Sequence, residues 1–376
     1  MHGFFAGLTT LDVLHGLDHV PDLTTKTTAR AHTLAAGGPA TNAAVAFAAL
    51  ERARTGRAGA SVDLLTATGR GVAAELVSGE LAGLGVGLLD ATAVNEGTPG
   101  TLGPAISSII EHPGGRFVAS TNARVPLDPA LATRLASEAL DPAPPLDVVL
   151  VDGHNPELAD IALRLGTTTD PTREAAGTPS SAAPAPDAAS PFGPTDPFAE
   201  LADKPAHLRV LDGGSWKPWF VPLLGLVDVA VVSADFVPPL VADAEDAPSA
   251  VADFLRGFGI ARVVRTDGAN PVRWWWDGDS GMVDVPRVDA VSTLGAGDIF
   301  HGALAWALAL AHGGTGRDGA AGVGREVDEG ATPSDPSWVI EVACEVAALS
   351  TTTFGTRAWM ADPALPGIVE RAVGRA

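Results

Sequence analysis

Cysteine is almost missing from this chain. Cys344 is the only one among 376 residues, so no intramolecular disulfide can form. Positive charge is scarce too: 24 Lys and Arg stand against 45 Asp and Glu, a formal net charge of -21. Such a surface repels a nucleic-acid backbone or an anionic membrane, which excludes both as partners. A single phosphorylated ligand is still allowed where backbone N–H groups, a local cation or a metal neutralise it. No apolar run reaches the roughly 18 residues of a membrane span. The longest stretches, AVAFAAL and GALAWALALA, are short and Ala-rich, as suits core helices lying close against a sheet. HExxH, paired CxxC and GxxxxGK[ST] patterns are missing, which leaves a zinc site or a Walker-type loop without support. No basic segment leads into an apolar stretch with a small-residue cleavage site, and with the lone cysteine this gives the expectation of a cytoplasmic protein.

What is present is alternation. With 46% hydrophobic residues the chain can bury one large core or two ordinary ones. HGFFAGLTTLDVL reads as a strand leaving through Gly7 into a polar turn, and GGPATNAAVAFAAL as a glycine turn entering a helix. SVDLLTATG, LDVVLVDGH, LRVLDGG, LVDVAVVSADF and ARVVRTDG read as strands. Between them GVAAELVSGELAGLGV, NPELADIALRLG with a cap at Asn155, and AVADFLRGFG read as helices. Apolar strands alternating with helices predict a mostly parallel sheet covered on both faces. Residues 166–205 and 313–337, rich in Pro, Gly, Ala, Ser and acids, read as insertions into a single domain spanning 1–376, the first at least partly mobile. Residues 13–35 and 95–125 carry short alternating patterns that fit either a small flap sheet over a site or an extra sheet edge.

The stretch STLGAGDIFHGAL carries the sharpest chemistry. Gly295, Ala296 and Gly297 offer backbone that a ligand can approach closely, ahead of the positive end of a helix, which suits an anion. Asp298 in the first turn, kept ionised by the same dipole, can take a proton from an attacking hydroxyl, or can simply cap the helix. Asp12, Gly38 and Asn42 can bind a small polyol, or serve as turn aspartate, turn glycine and first-turn amide. His301 reads as a packed helix residue rather than an acid or ligand. Trp274, Trp275 and Trp276 on a strand place two rings on one side and one on the other, a core-plus-surface role. His154, at a strand end, fits a turn or a ligand equally.

Three blocks, GLTTLDVL, AAGGPATNAAVAFAAL and VSTLGAGDIFHGALAWAL, resemble the signatures of the ribokinase-like (PfkB) carbohydrate kinases, in the family's order. LRVLDGGSWKPWFVPLLGLVDVAVVSADF and ARVVRTDGANPV resemble further family segments. The resemblance implies a three-layer α/β/α sandwich with a mostly parallel sheet and a small β-sheet lid, formed by 13–35 and 95–125. It implies an ATP-dependent sugar kinase using Mg2+, with ATP and a small sugar as partners and a homodimer contact through the lid. Asp298 becomes the base, and Gly295, Ala296 and Gly297 the anion hole for the γ-phosphoryl. Asp12, Gly38 and Asn42 become sugar ligands, while Thr266, Gly268 and Thr293 lie beside the nucleotide.

The chain also departs from the family pattern. Ser292-Thr293 stands where members commonly have Asp-Thr, which leaves K+ activation open. Ser233-Ala234-Asp235-Phe236 stands where many carry Asn-x-x-Glu, which leaves the magnesium ligands unassigned. Ala269-Asn270-Pro271 follows Gly268 in place of a second glycine. The WKPWF and STLGAGD details lean toward ketohexokinase-like members. A nucleoside kinase, or a binding protein of this fold that has lost efficient catalysis, is the alternative.

Overall fold

A computed structural model describes residues 1–22, 24–57, 61–93, 103–121, 125–141, 143–167, 169–172, 205–314 and 333–376. Its main sheet grows outward from β1 (His2–Ala6). On one side lie β4 (Ser61–Thr66) and β5 (Gly87–Asp90). On the other lie β8 (Val148–Val151), β9 (Leu208–Gly213), β10 (Val229–Ser233) and β11 (Arg262–Asp267), all parallel. The antiparallel strands β12 (Asn270–Trp276) and β13 (Asp279–Val283) finish that edge.

Each central strand is apolar on both faces because both are covered. In β1, Phe5 joins one core while Phe4 and Ala6 join the other, and in β8 the residues Val148 to Val151 alternate in the same way. The first core is closed by α1 (Pro39–Thr55), α2 (Val72–Leu84), α7 (Ala296–Gly314), α8 (Ser337–Thr351) and α9 (Leu365–Val373). The second is closed by α3 (Pro129–Leu140), α4 (Pro156–Leu163), the single turn α5 (Val221–Leu224) and α6 (Ala247–Arg256). Helix, sheet and helix thus form three layers. The Asn155 cap of α4 accepts from Leu158 N at 3.3 Å. Trp274 and Trp276 enter the first core, while Trp275 packs half-buried against the second.

A second sheet stands apart, in the order β3 (Ala31–Gly37), β2 (Thr10–Gly16), β6 (Ala105–His112), β7 (Gly115–Ser120). It begins at Thr10 rather than Val13, because LDVL is itself a strand and the turn from Gly7 to Thr9 is only three residues long. Residues 95–102 and 122–124 of the second expected flap segment lie outside the described residues, as do 168, 173–204 and 315–332 of the two expected insertions. The described start of the first insertion is well packed. Thr167, Asp170 and Thr172 are buried, and Asp170 accepts from Gly166 N and Thr172 N.

Candidate active site

Strand order reverses between β1, which continues to β4, and β8, which starts the other half of the sheet. A crevice opens at the carboxyl ends there, and parallel sheets bind ligands at such a point. Asp152 closes its floor. Its carboxylate accepts from Leu8 N (2.8 Å), Ala40 N (3.2 Å) and His154 N (2.8 Å), tying the β1–β2 turn and the start of α1 to the end of β8. Gly38 caps α1 at φ 99, and a Cβ there would lie 2.2 Å from Leu8 O, so this turn needs glycine.

Asn42 follows in the first turn of α1 and crosses to α7, where its Nδ2 donates to Asp298 Oδ2 at 2.8 Å. The two helices meet this closely because position 302 is glycine: a Cβ there would lie 2.2 Å from Ala43 O. The second glycine of GAGDIFHGAL is therefore a packing requirement. Gly295, at φ 70, turns the chain into α7 beside Asn42 and Asp298. The first N–H groups of α7 have no helical acceptor ahead of them, as at any helix start. Ala296 departs from the expected hole, since its N–H turns back to Thr293 O at 3.4 Å. Gly297 has open space around its Cα.

Asp298 differs from expectation in charge. Burial pushes its carboxyl up to about 7, and the negative charge of Asp212 adds to this, against the lowering effect of the Asn42 hydrogen bond and His301. The helix dipole alone argued for a fully ionised acid; desolvation outweighs it. A base titrating near 7 is well matched to proton transfer at neutral pH.

Asp12 lies on β2, with Thr10 Oγ1 donating to its Oδ1 at 2.8 Å. Burial raises its pKa, opposed by hydrogen bonds from Thr10 and Ser107 and by the charge of Arg357. Arg357 went unremarked in the sequence, yet its charge acts on both Asp12 and Asp298. Two more residues were missed. Asp212 is buried at the end of β9 with Oδ2 lacking a hydrogen-bond partner, and Lys217 is half-buried facing Asp152 and Asp212. An acid closing an apolar strand, as in VVLVDG and RVLDGG, was the available signal.

A cavity of about 730 Å³ brings the expected nucleotide residues together: Thr266, Gly268 and Thr293 line it with Ala296 and Gly297. Asn270, Phe300 and the buried Cys344 complete that wall, and burial pushes the Cys344 thiol up to about 12, which leaves it unreactive.

The departures have visible consequences. Ser292 Oγ donates to Glu111 Oε1 at 2.9 Å, so β6 of the second sheet brings a carboxylate next to Ser292. The second oxygen of Glu111 is buried without a hydrogen-bond partner. Asp235 is exposed at the end of β10, and Ser233 Oγ donates to Gly214 O. His301 is buried, with Nδ1 2.6 Å from Gly297 O, and Nε2 3.1 Å from Val231 O and 3.4 Å from Asp212 Oδ1. His154 is exposed.

Residues 222–362, which include the glycine turn and Asp298, match the model of the pfkB family carbohydrate kinases. The fold is shared over nearly the whole chain with solved structures. Ribokinase from Giardia lamblia matches at TM-score 0.69 and 15% identity, covering 100% of this chain and 99% of its own. Ribokinase from Arabidopsis thaliana, complexed with ribose and ATP, matches at 0.61 and 15%, covering 99% and 98%. Fructokinase from Xylella fastidiosa, with bound ATP, matches at 0.62 and 18%, covering 99% and 98%. No curated protein matches the sequence. Over that stretch the chain is similar to the pfkB family carbohydrate kinases, and as a whole it shares the ribokinase-like fold.

Proposed function

We propose that this chain transfers the γ-phosphoryl group of ATP to a hydroxyl of a small sugar. The observation that carries the reading is Asp298: a partly buried carboxyl tied to Asn42, beside the Gly295–Gly297 turn, with Ala296 and Gly297 lining the 730 Å³ cavity. ATP lies in the cavity along Thr266, Gly268 and Thr293, with its γ-phosphoryl at the start of α7. The sugar lies against Asp12, Gly38 and Asn42. Asp298 Oδ1 takes the hydroxyl proton as the oxygen attacks phosphorus, the new O–P bond forms, the bond to the β-phosphate oxygen breaks, and ADP leaves. Helix N–H groups stabilise the charge on the transferred group, and positioning supplies much of the rate.

Mg2+ travels with the ATP phosphates, and the exposed Asp235 is the nearest carboxylate in the segment where the family carries its magnesium motif. A monovalent cation beside Ser292 would draw its carboxylate from Glu111. The second sheet acts as a lid over the sugar, and its β7, exposed along its length, is the surface for a homodimer contact. The named relatives, two ribokinases and a fructokinase, favour a pentose or hexose; the ketohexokinase-like lean rests on sequence alone. Cytoplasmic location is likewise proposed from the sequence.

An ATP-consumption screen over sugars and nucleosides, with Asp298→Asn as control and K+ varied, tests the reading. Turnover on one sugar, lost in the variant, supports it. Binding without turnover across the panel, or full activity in the variant, overturns it.

A further inference from the structure

We infer that Arg357 is a positioning residue for the base: through Asn42 it fixes the direction in which Asp298 is held. The inference rests on the reading of Asp298 as the base. Arg357 sits just after α8 in TTTFGTRAW, far in sequence from Asn42, Glu80 and Ala36, which it holds. Its Nη1 donates to Asn42 Oδ1 at 2.9 Å and also reaches Thr356 Oγ1 and Thr356 O at 3.0 and 3.2 Å. Its Nε donates to Glu80 Oε1 on α2 at 2.9 Å, and its Nη2 to Ala36 O on β3. Glu80 Oε2 in turn accepts from Ala36 N at 2.5 Å. The guanidinium is thus held on three sides.

This matters because an asparagine amide has two chemically opposite ends of nearly the same shape. A guanidinium has only donors, so it accepts nothing but Oδ1 as a partner. With Oδ1 committed to Arg357, Nδ2 must face Asp298, where it donates at 2.8 Å. Turned over, the amide would set donor against donor at Arg357 and oxygen against carboxylate at Asp298. Asp298 Oδ2 is therefore the occupied oxygen and Oδ1 the one left for a substrate proton. The rigid fork of Arg357 serves five acceptor atoms at once, a geometry that a lysine ammonium cannot reproduce. Since Ala36 belongs to the second sheet, the clamp also ties the β3 strand to the orientation of the base. The other charged groups acting on Asp298 are Asp212 and Asp152 from the main sheet and His301 from its own helix. Arg357 faces Glu80 and Asp12 as well.

The test needs no sugar. The full chain, labelled with 13C at aspartate carboxyls and assigned through Asp298→Asn, is titrated by NMR as wild type, Asn42→Ala, Arg357→Lys and the double variant. The Asn42 hydrogen bond favours the ionised acid, so Asn42→Ala is expected to raise the Asp298 midpoint. Arg357→Lys keeps the charge but loses the fork, and is expected to raise it by at least about half a pH unit, a threefold change in proton affinity. The double variant is expected to match Asn42→Ala alone. An unchanged midpoint in Arg357→Lys, or shifts that add in the double variant, overturns the inference, because Arg357 would then act as a distant charge or a structural clamp. If Arg357→Lys does not fold, the pair Glu80→Gln with Arg357→Gln removes the clamp without leaving a lone buried charge. It must then raise the midpoint when Asn42 is present and leave it unmoved in Asn42→Ala. Failure of the kinase reading would appear in the sugar screen and leave this titration untouched.

Discussion

The two ends of the main sheet both bury charge, and they treat it in opposite ways. At the amino ends three charged clusters meet opposite partners at bonding distance. Arg209 meets Asp228 through two hydrogen bonds of 2.9 and 3.1 Å, His2 meets Asp63 at 2.9 Å, and Glu51 takes both Arg54 and the terminal ammonium. At the carboxyl ends Asp152, Asp212 and Asp298 crowd together, and Asp212 raises the pKa of Asp298. One end satisfies its charges and the other keeps them in tension. Tension costs stability and makes a carboxyl able to accept a proton near neutral pH, which is what separates a site from scaffold.

Replacing one acid at each end breaks this comparison most sharply. Asp298→Asn is expected to lower kcat by about a thousandfold, in the middle of the range for a lost general base. It is also expected to raise Tm at pH 8. The sign follows from the raised pKa: unfolded Asp298 ionises from about pH 4 upward, folded Asp298 only near 7, so its ionisation weakens the fold across that window and fully above it. The gain should vanish at pH 4. Asp228→Ala, at the other end, leaves Arg209 buried and unpaired and is expected to cost about 3–5 kcal/mol of stability with kcat intact. Urea unfolding and an ATP-coupled assay read both. A loss of kcat in Asp228→Ala without unfolding would erase the distinction between the ends.

Smaller changes sharpen it. Gly302→Ala forces a methyl group against Ala43 O, and is expected to cost about 1–3 kcal/mol. Since it pushes α1 from α7, kcat should fall more than sugar KM rises. Asp212→Asn removes a negative charge that holds the Asp298 pKa up, so the acid limb of the kcat profile should move to lower pH. A limb that stays in place would leave burial as the whole cause.

How much of this was legible in the sequence follows from the range of the signals. The βα alternation and the glycine turn before Asp298 are local patterns, and both were readable because neighbouring residues carry them. The pairing of Asn42 with Asp298, 256 positions apart, and of Arg357 with Glu80, 277 apart, leaves no periodic trace. The direction of the Asp298 shift was hidden for the same reason: the dipole is local, while the burial that outweighs it comes from helices and strands assembled from the whole chain.

The least drastic test concerns Glu111, where the second sheet touches the glycine turn. Glu111 brings a carboxylate to Ser292 through a single hydrogen bond, with its other oxygen buried and unbonded. A buried carboxylate oxygen without a donor is unfavourable unless a cation or a donor completes it. If a monovalent cation completes it, K+ should stabilise the protein against heat relative to an equal concentration of choline, and raise turnover a few-fold. Glu111→Gln should abolish both effects, while activity in choline changes by less than about threefold, the scale of one hydrogen bond. Stimulation by K+ that persists in Glu111→Gln would assign the cation to backbone carbonyls near Ser292 alone. The second sheet would then contribute cover to the site and no charge.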